Sequence, residues 1–435
     1  MLRSKLSGGP TMQQQISSPR EKLILLLLSA IQFSHVMDFM VMMPLGPQLM
    51  RVFNISASEF GYIVSSYGIS SGIAGLLVSP FIDKYDRKLF LNICLAGLLA
   101  GTLLCAVAES ASVLMIARVI AGFFGGVLGG LVNAIISDIF PPERRGYAIS
   151  RVMLSFSISS IIGVPAGLAL ANSFGWHMPF FVVSFLLVML LVLAHFRFPN
   201  LTSHIEKSTT IRSRIFQIGH LLIEKPALIG FFTTVFIIVG QFMVIPYISP
   251  YLVKNLSFSE QQLPLLYLFG GAASIFTMPL VGKATDKFGV EKVFPIGVLI
   301  SVIPMFTLTH LTTQNPVLIL STTTLFMVCM GARMVPYSSL LTTVVEPKKR
   351  GAYLSLNASV QSLAQGGAAL LAASLISENS EKQLVGYTTS GWIAAVFSLI
   401  TIALGFQIAK SAARSAQAER VKASPQSTQE SADPS

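Results

Sequence analysis

Long stretches of this chain contain almost no charge. Residues 60–82, 89–108, 226–253, 261–282, 352–377 and 383–409 carry no Asp, Glu, Lys or Arg. Residues 23–50 contain only Asp38, and residues 110–137 only Arg118. A helix needs about 20 apolar residues to cross the hydrocarbon of a bilayer, so each run is long enough for one crossing. The charge-free stretch 152–196 is long enough for two, and Asn172–Pro179 breaks it in the middle. Residues 293–345, with Arg333 inside, divide the same way at Thr312–Pro316. Counted so, the chain is an all-α integral membrane protein with twelve transmembrane helices, six in each half.

The halves repeat each other. Asp38-Phe39-Met40-Val41 returns as Gln241-Phe242-Met243-Val244, 203 residues later. Asp83-Lys84-Tyr85-Asp86 returns at the same spacing as Asp286-Lys287-Phe288-Gly289, and Arg145-Gly146 returns as Arg350-Gly351. Two parallel copies of a helical unit are a common plan for membrane transporters. The repeat predicts two pseudo-symmetric six-helix bundles, 23–197 and 226–409. Chemically the copies differ most at one place, where Asp38 of the first is Gln241 of the second.

Composition serves chiefly to exclude. Only 11% of the residues are charged and 53% are hydrophobic, against about 25% charged in a soluble domain. Place both tails (1–22 and 410–435) and every second loop on one side, and that side collects 25 of the 30 Lys and Arg. Such a bias puts both termini and the central loop 198–225 in the cytoplasm. The net charge of +11 is then topological, with attraction to anionic membrane lipid, and no nucleic-acid partner is implied. Arg20 and Lys22 before Leu23–Leu28 imitate a signal peptide, but the apolar run is too long and lacks a small-residue cleavage site, so a retained first helix is expected. Met12 is an alternative start.

Cys94, Cys105 and Cys329 all fall in spans and offer no disulfide or metal spacing. No Gly-rich phosphate loop, zinc motif or nucleophile–base set is visible, so neither an enzyme, a cofactor nor a metal is expected. In the central loop Ile211, Ile215, Ile218 and Leu222 recur at helical spacing, which suits a short helix in the membrane interface or an ordinary linker. The tail beyond Lys410 is rich in Ala, Ser and Gln and is expected to be disordered.

The loop after the second span reads Ser79-Pro-Phe-Ile-Asp83-Lys84-Tyr-Asp86-Arg87-Lys88. It resembles the loop motif of the major facilitator superfamily, Gly-x-x-x-Asp-Arg-x-Gly-Arg-Lys. A second copy stands at Gly282-Lys-Ala-Thr-Asp286-Lys287-Phe-Gly289-Val-Glu291-Lys292. Ser79 and Asp86 replace glycines in the first copy, and Val290 replaces the arginine in the second. The resemblance implies a charge relay of Asp83, Arg87 and Asp138, with Asp286 as the second-half counterpart of Asp83. Asp83 is expected to cap a helix N-terminus. Such a cluster either latches the halves in one state or only anchors the topology. Thr343 stands where the second half would carry its acid, so the relay there is expected to be weaker.

Ionisable groups inside a membrane are costly and face a cavity or a partner. Asp38 falls near the middle of the first span, with His35 one turn earlier on the same face. In the drug:proton antiporters of the superfamily an acid in this span carries the coupling proton, and Asp38 matches it. Gln241 cannot titrate, so coupling would be asymmetric. His35 is either a second proton carrier or a buried hydrogen-bonder. Arg118, in Leu114-x-x-x-Arg118-x-x-x-Gly122, resembles the span 4 arginine tied to proton transfer, or is structural. Arg333 faces the cavity and favours an anionic solute, or snorkels or pairs with backbone.

Gly163-Val164-Pro165-Ala166-Gly167 resembles the span 5 signature of antiporters in sugar- and arabinose-efflux relatives, with Val164 interrupting the usual Gly-Pro. Gly163 and Gly167 would let helices approach closely, and Pro165 would bend the span. The superfamily architecture would line a substrate cavity with spans 1, 4, 7 and 10. Candidates are Met42, Asn133, Gln241, Tyr247, Arg333 and Tyr337, a surface suited to amphiphilic organic solutes. The expectation is a monomeric bacterial inner-membrane transporter using the proton gradient to export a small organic solute. Proton-coupled import, as of a siderophore or nutrient, is the alternative, followed by a receptor or scaffold that moves nothing.

Overall fold

The computed structural model describes residues 19–82, 84–202, 216, 219–346 and 349–423. The first half contains α1 (Pro19–Val41), α2 (Ala57–Ile82), α3 (Arg87–Ala106), α4 (Ala111–Ile139), α5 (Pro142–Ile158) and α6 (Met178–Arg197). The second contains α7 (Lys225–Phe242), α8 (Leu263–Phe288), α9 (Val290–Thr309), α10 (Pro316–Leu341), α11 (Arg350–Leu375) and α12 (Tyr387–Ala423). A two-residue antiparallel ribbon, Ser377–Glu378 with Leu384–Val385, joins α11 to α12. Among the described residues, eleven helices are long and apolar enough to cross a membrane. The exception is α11, whose Ser, Asn, Gln and Gly residues lower its hydropathy and supply a smooth surface for α2.

The internal repeat is visible in the backbone. α1 stops at Val41 and a short helix, Gly46–Val52, resumes after a turn; α7 stops at Phe242 and Ile248–Leu256 resumes after a 3₁₀ turn. Pro44 and Pro47 in one copy and Pro246 in the other lack the N–H that an unbroken helix needs. Asp38 therefore lies in the last turn of α1 and not at its middle, although it is central to the combined 19–52 segment. α5 passes through a π-helical turn at Ser159–Gly163 into a distal arm, Val164–Phe174. Pro165 lacks the N–H that would answer the carbonyl one turn back, which accounts for the wider turn.

Two expected boundaries shift. α1 begins at Pro19, within the segment read as a tail, because proline suits a first helical turn. α12 runs on to Ala423, past the 410 boundary, because Ala, Gln, Glu, Lys and Arg are strong helix formers. The interfacial helix suggested for Ile211–Leu222 falls mostly outside the described residues.

The halves meet along α2 and α11, which cross antiparallel with almost no side chain between them. A Cβ added at Gly68 would stand 2.7 Å from the Gly366 nitrogen, and one at Gly366 2.6 Å from the Ile69 nitrogen. Opposite this seam, α8 packs against the π turn and distal arm of α5; a Cβ on Gly271 would lie 3.2 Å from the Ile161 Cα.

Polar contacts between the halves concentrate at one end. Arg51 binds Glu260, whose carbonyl accepts from Asn172. Tyr247 Oη donates to the Ala57 carbonyl at 3.1 Å, the Ala57 N–H donates to Glu378, and Ser58 donates to the Ile376 carbonyl. Lys254 binds the same Glu378 at 3.0 Å. The only other hydrogen bond between the halves among the described residues is Ser71 to Ser362, about midway along the seam. The end carrying residues 42–57, 257–262 and 376–386 is thus clasped. At the opposite end, which carries the helix termini near 87, 139 and 341, no such bond joins the halves among the described residues.

Candidate functional site

Asp38 is fully buried, and three other helices of its own half enclose it. Thr102 Oγ1 of α3 donates to Asp38 Oδ1 at 2.9 Å. Arg118 Nη1 of α4 donates to Oδ2 at 3.1 Å and to the Asp38 backbone carbonyl at 3.0 Å. The guanidinium also lies over the Tyr67 ring of α2, 4.2 Å from its centroid. Arg118 and Asp38 have side-chain exposures of 1% and 0%. A buried ion pair survives desolvation only when its members are hydrogen-bonded: Asp38 accepts from Thr102 and Arg118, while Arg118 bonds through Nη1 and leaves Nε buried without a partner. Helix geometry produces the meeting: Leu114, Arg118, Gly122 and Gly125 share one face of α4, and Gly122 lets that face close on α2.

His35, one turn before Asp38, points toward α4 beside Tyr67. A Cβ built on Gly125 would lie 2.5 Å from Tyr67 Oη and 3.0 Å from His35 Cδ2. His35 Nδ1 and Tyr67 Oη are buried without a hydrogen-bond partner, as is Gln241 Oε1 on α7. Unsatisfied buried polar atoms are uncommon in a finished core and call for explanation. The first two lie side by side at Gly125. Tyr67 and Thr102 are absent from the sequence-derived set, since Tyr and Thr are ordinary in spans and only the packing sets them apart.

The remaining candidates divide. Beyond Gly126, which packs on α2, α4 turns toward open space: Gly129 and Gly130 have nothing within 4 Å of an added Cβ, and Asn133 is exposed. Four others are packed in protein and do not line an opening in this conformation. Met42 sits in the core at the turn after α1, 1% exposed. Tyr247 belongs to the clasp. Tyr337 Oη donates to Thr234 Oγ1, which also meets Asn357, in a buried network of α7, α10 and α11. Arg333 donates to Ser301, Ser398 and the Ile237 carbonyl, a structural tie between α7, α9, α10 and α12. In the last three cases the polar tip found partners inside its own half or across the clasp. Position along a span does not reveal which way a residue faces.

The hinge candidates face α1. Added Cβ atoms on Gly163 and Gly167 would come within 2.8 and 2.7 Å of Met37, so both glycines permit the close crossing of α1 and α5. Pro165 stands in the first turn of the distal arm.

At the unclasped end Arg87 Nε meets Asp138 Oδ2 at 2.9 Å, with side-chain exposures of 8% and 11%. Asp83 lies outside the described residues. The N-cap of α3 is Asp86 instead, because it directly precedes the helix: its Oδ1 accepts from the N–H groups of Lys88 and Leu201, both at 2.9 Å. Asp286 is exposed and makes no ion pair among the described residues, and Thr343 bonds only the Leu340 carbonyl behind it. Among the described residues the Arg87–Asp138 pair has no counterpart at Asp286 and Thr343 of the second half. At the clasped end, the hydrogen bond to Glu260 pushes Arg51 further up from its already high range.

The sequence model of the Major Facilitator Superfamily matches residues 28–246 and again 230–431. The chain belongs to the Major Facilitator Superfamily. Among curated proteins it is 24% identical over 285 residues to the uncharacterized MFS-type transporter YtbD of Bacillus subtilis, covering 66% of this chain and 70% of that protein. It is 31% identical over 127 residues to multidrug resistance protein 3 of the same organism, covering 29% of this chain and a quarter (25%) of that protein. Among solved structures, a D-xylose–proton symporter superposes with a TM-score of 0.73 at 20% identity, over 89% of this chain and 98% of the other. This major facilitator is accordingly a multi-pass membrane protein and a secondary transporter of a small molecule, not an enzyme.

Proposed function

We propose that this transporter exports a small organic solute in exchange for protons, and that Asp38 carries the proton. The observation behind the reading is the sealed Asp38–Arg118–Thr102 cluster, matched in the second half by Gln241, which cannot titrate. A carboxylate that pairs with an arginine in one state and takes a proton in another exchanges one stabilising partner for the other. His35 stands next to the pair and serves as a second proton station. Asn133 and Gln241 supply polar contacts to the solute. The energy source is the proton gradient, no cofactor is needed, and one chain suffices.

The charge bias of the loops supports cytoplasmic termini in a bacterial inner membrane. The clasped end then faces outward and the unclasped end inward, so this conformation is closed to the outside. Alternating access proceeds by opening the clasp and joining the opposite end, where the Arg87–Asp138 pair, already formed within the first half, engages the second half as the latch.

The span 5 resemblance and the short match to a multidrug resistance protein favour export. Val164, which separates Gly163 from Pro165, weakens that signature and favours import as the second reading.

Proteoliposomes loaded with a pH-sensitive dye test both. Over a library of amphiphilic compounds, a substrate should drive proton movement with wild type and not with Asp38→Asn. The direction of proton flux relative to the substrate gradient decides between antiport and symport. Undiminished coupled transport in Asp38→Asn would make Asp38 structural.

A further inference from the structure

The Asp38–Arg118 pair is sealed inside the first half, yet a proton carrier must change how the two halves meet. A line of aromatic side chains joins the pair to the second half. Arg118 lies on the Tyr67 ring at 4.2 Å, the Tyr67 and Phe39 centroids are 5.3 Å apart, and Phe39 lies 6.1 Å from Phe242 of α7. Phe242 follows Gln241, the repeat partner of Asp38. Tyr67 is 2% exposed, and its hydroxyl makes no hydrogen bond. A buried tyrosine ordinarily bonds its hydroxyl, so what this one offers its surroundings is the face of its ring.

We propose that Tyr67 is the positioning residue that ties the Asp38–Arg118 pair to the seam between the halves, acting through Phe39 and Phe242. This rests on the proton-carrier reading of Asp38. With Asp38 charged, Arg118 is held by the carboxylate on one side and the ring face on the other. When Asp38 takes a proton the carboxylate stops competing, and the Asp38 backbone carbonyl and the ring face are what remain to hold the cation. Guanidinium and ring then settle together, and Phe39 transmits the change to Phe242. The other titratable groups around the guanidinium are His35 on α1, partly buried beside Tyr67, and Cys105 on α3, buried.

The test needs no substrate. Cys94, Cys105 and Cys329 are buried, so spin labels can be directed to cysteines introduced at the exposed Glu109 and Gln314, one in each half at the clasped end. Pulsed electron paramagnetic resonance in lipid nanodiscs then reports the ratio of clasped to opened molecules. In the parent, Asp38→Asn should move that ratio by about fivefold or more, the lower end of ordinary allosteric coupling. In a Tyr67→Leu background the same substitution should move it less than about twofold. In Tyr67→Phe, which keeps the ring, the full shift should return. Phe39→Leu breaks the line one ring farther on and serves if Tyr67→Leu does not fold.

A full Asp38→Asn shift in Tyr67→Leu, or in Phe39→Leu, would overturn the proposal while leaving Asp38 as the carrier. No shift in the parent would remove the carrier reading, and the aromatic link with it. Loss of the shift in Tyr67→Phe would transfer the role from the ring to the hydroxyl and refute the mechanism given.

Discussion

Arg51 of the first half reaches Glu260 of the second, with Nη1 2.6 Å from Oε1 and Nη2 3.2 Å from Oε2. The two-pronged geometry is the strong form of an arginine–carboxylate contact, and it spans the mouth that must open if substrate is to pass. The Arg51 side chain is 65% exposed, so solvent screens the pair and its worth is about 1 kcal/mol or less. Glu260→Gln should therefore raise the population opened at this end by no more than about fivefold, with the fold intact. Distance measurements between labels on the two halves check the shift, and raising the salt concentration should produce the same trend in wild type.

The buried pair should behave differently. Arg118→Leu leaves a carboxylate without its cation in the core and should lower stability by about 3–5 kcal/mol. Asp38→Asn combined with Arg118→Gln removes both charges and should cost less than the sum of the single changes. Thermal unfolding of purified protein in detergent, run as a double-mutant cycle, reads the coupling. Additive losses would mean that the two charges do not depend on one another.

The two halves should respond unequally at their loop motifs. Asp138→Asn strips Arg87 of its carboxylate at a site where the arginine is 7% exposed, and should be strongly destabilising. Asp286→Asn alters an exposed group and should change stability by less than about 0.5 kcal/mol. Comparable losses from both would mean that Asp286 has a buried role in another conformation.

Gly68 and Gly366 permit backbone contact between α2 and α11, so a larger side chain has no room at either. Gly68→Leu should cost about 1–3 kcal/mol through overpacking and separate the halves near the middle of the seam. Gly129→Ala, where nothing lies within 4 Å, should be neutral in the same melting assay.

Much of this arrangement is legible in the order of residues. Charge-free runs locate the helices because hydrocarbon tolerates little else, and the repeat by itself pairs Asp38 with Gln241. Arg118 is recognisable because a cation in an apolar span demands a partner. The sequence does not reveal direction around a helix axis. Tyr247, Tyr337 and Arg333 occupy spans expected to line a cavity, yet the first seals the clasp and the other two are tied to neighbouring helices of the second half. Thr102 and Tyr67 complete the Asp38 cluster only because α3 and α2 bring them there, over separations that no local pattern records. Asp86 in place of Asp83 at the head of α3 turns on a cap geometry that several spacings can satisfy.

The Tyr247–Ala57 hydrogen bond has a consequence for speed. Both groups are buried at the clasped end, and pulling the halves apart strands a hydroxyl and a carbonyl in an apolar crevice, which is costly until something else bonds them. Water entering at that end can do so. Opening should then be limited by hydration of the crevice as well as by the motion of the helices, and Tyr247→Phe should lower that barrier by removing the hydroxyl that has to be wetted. The door at the clasped end is held shut in part by dryness.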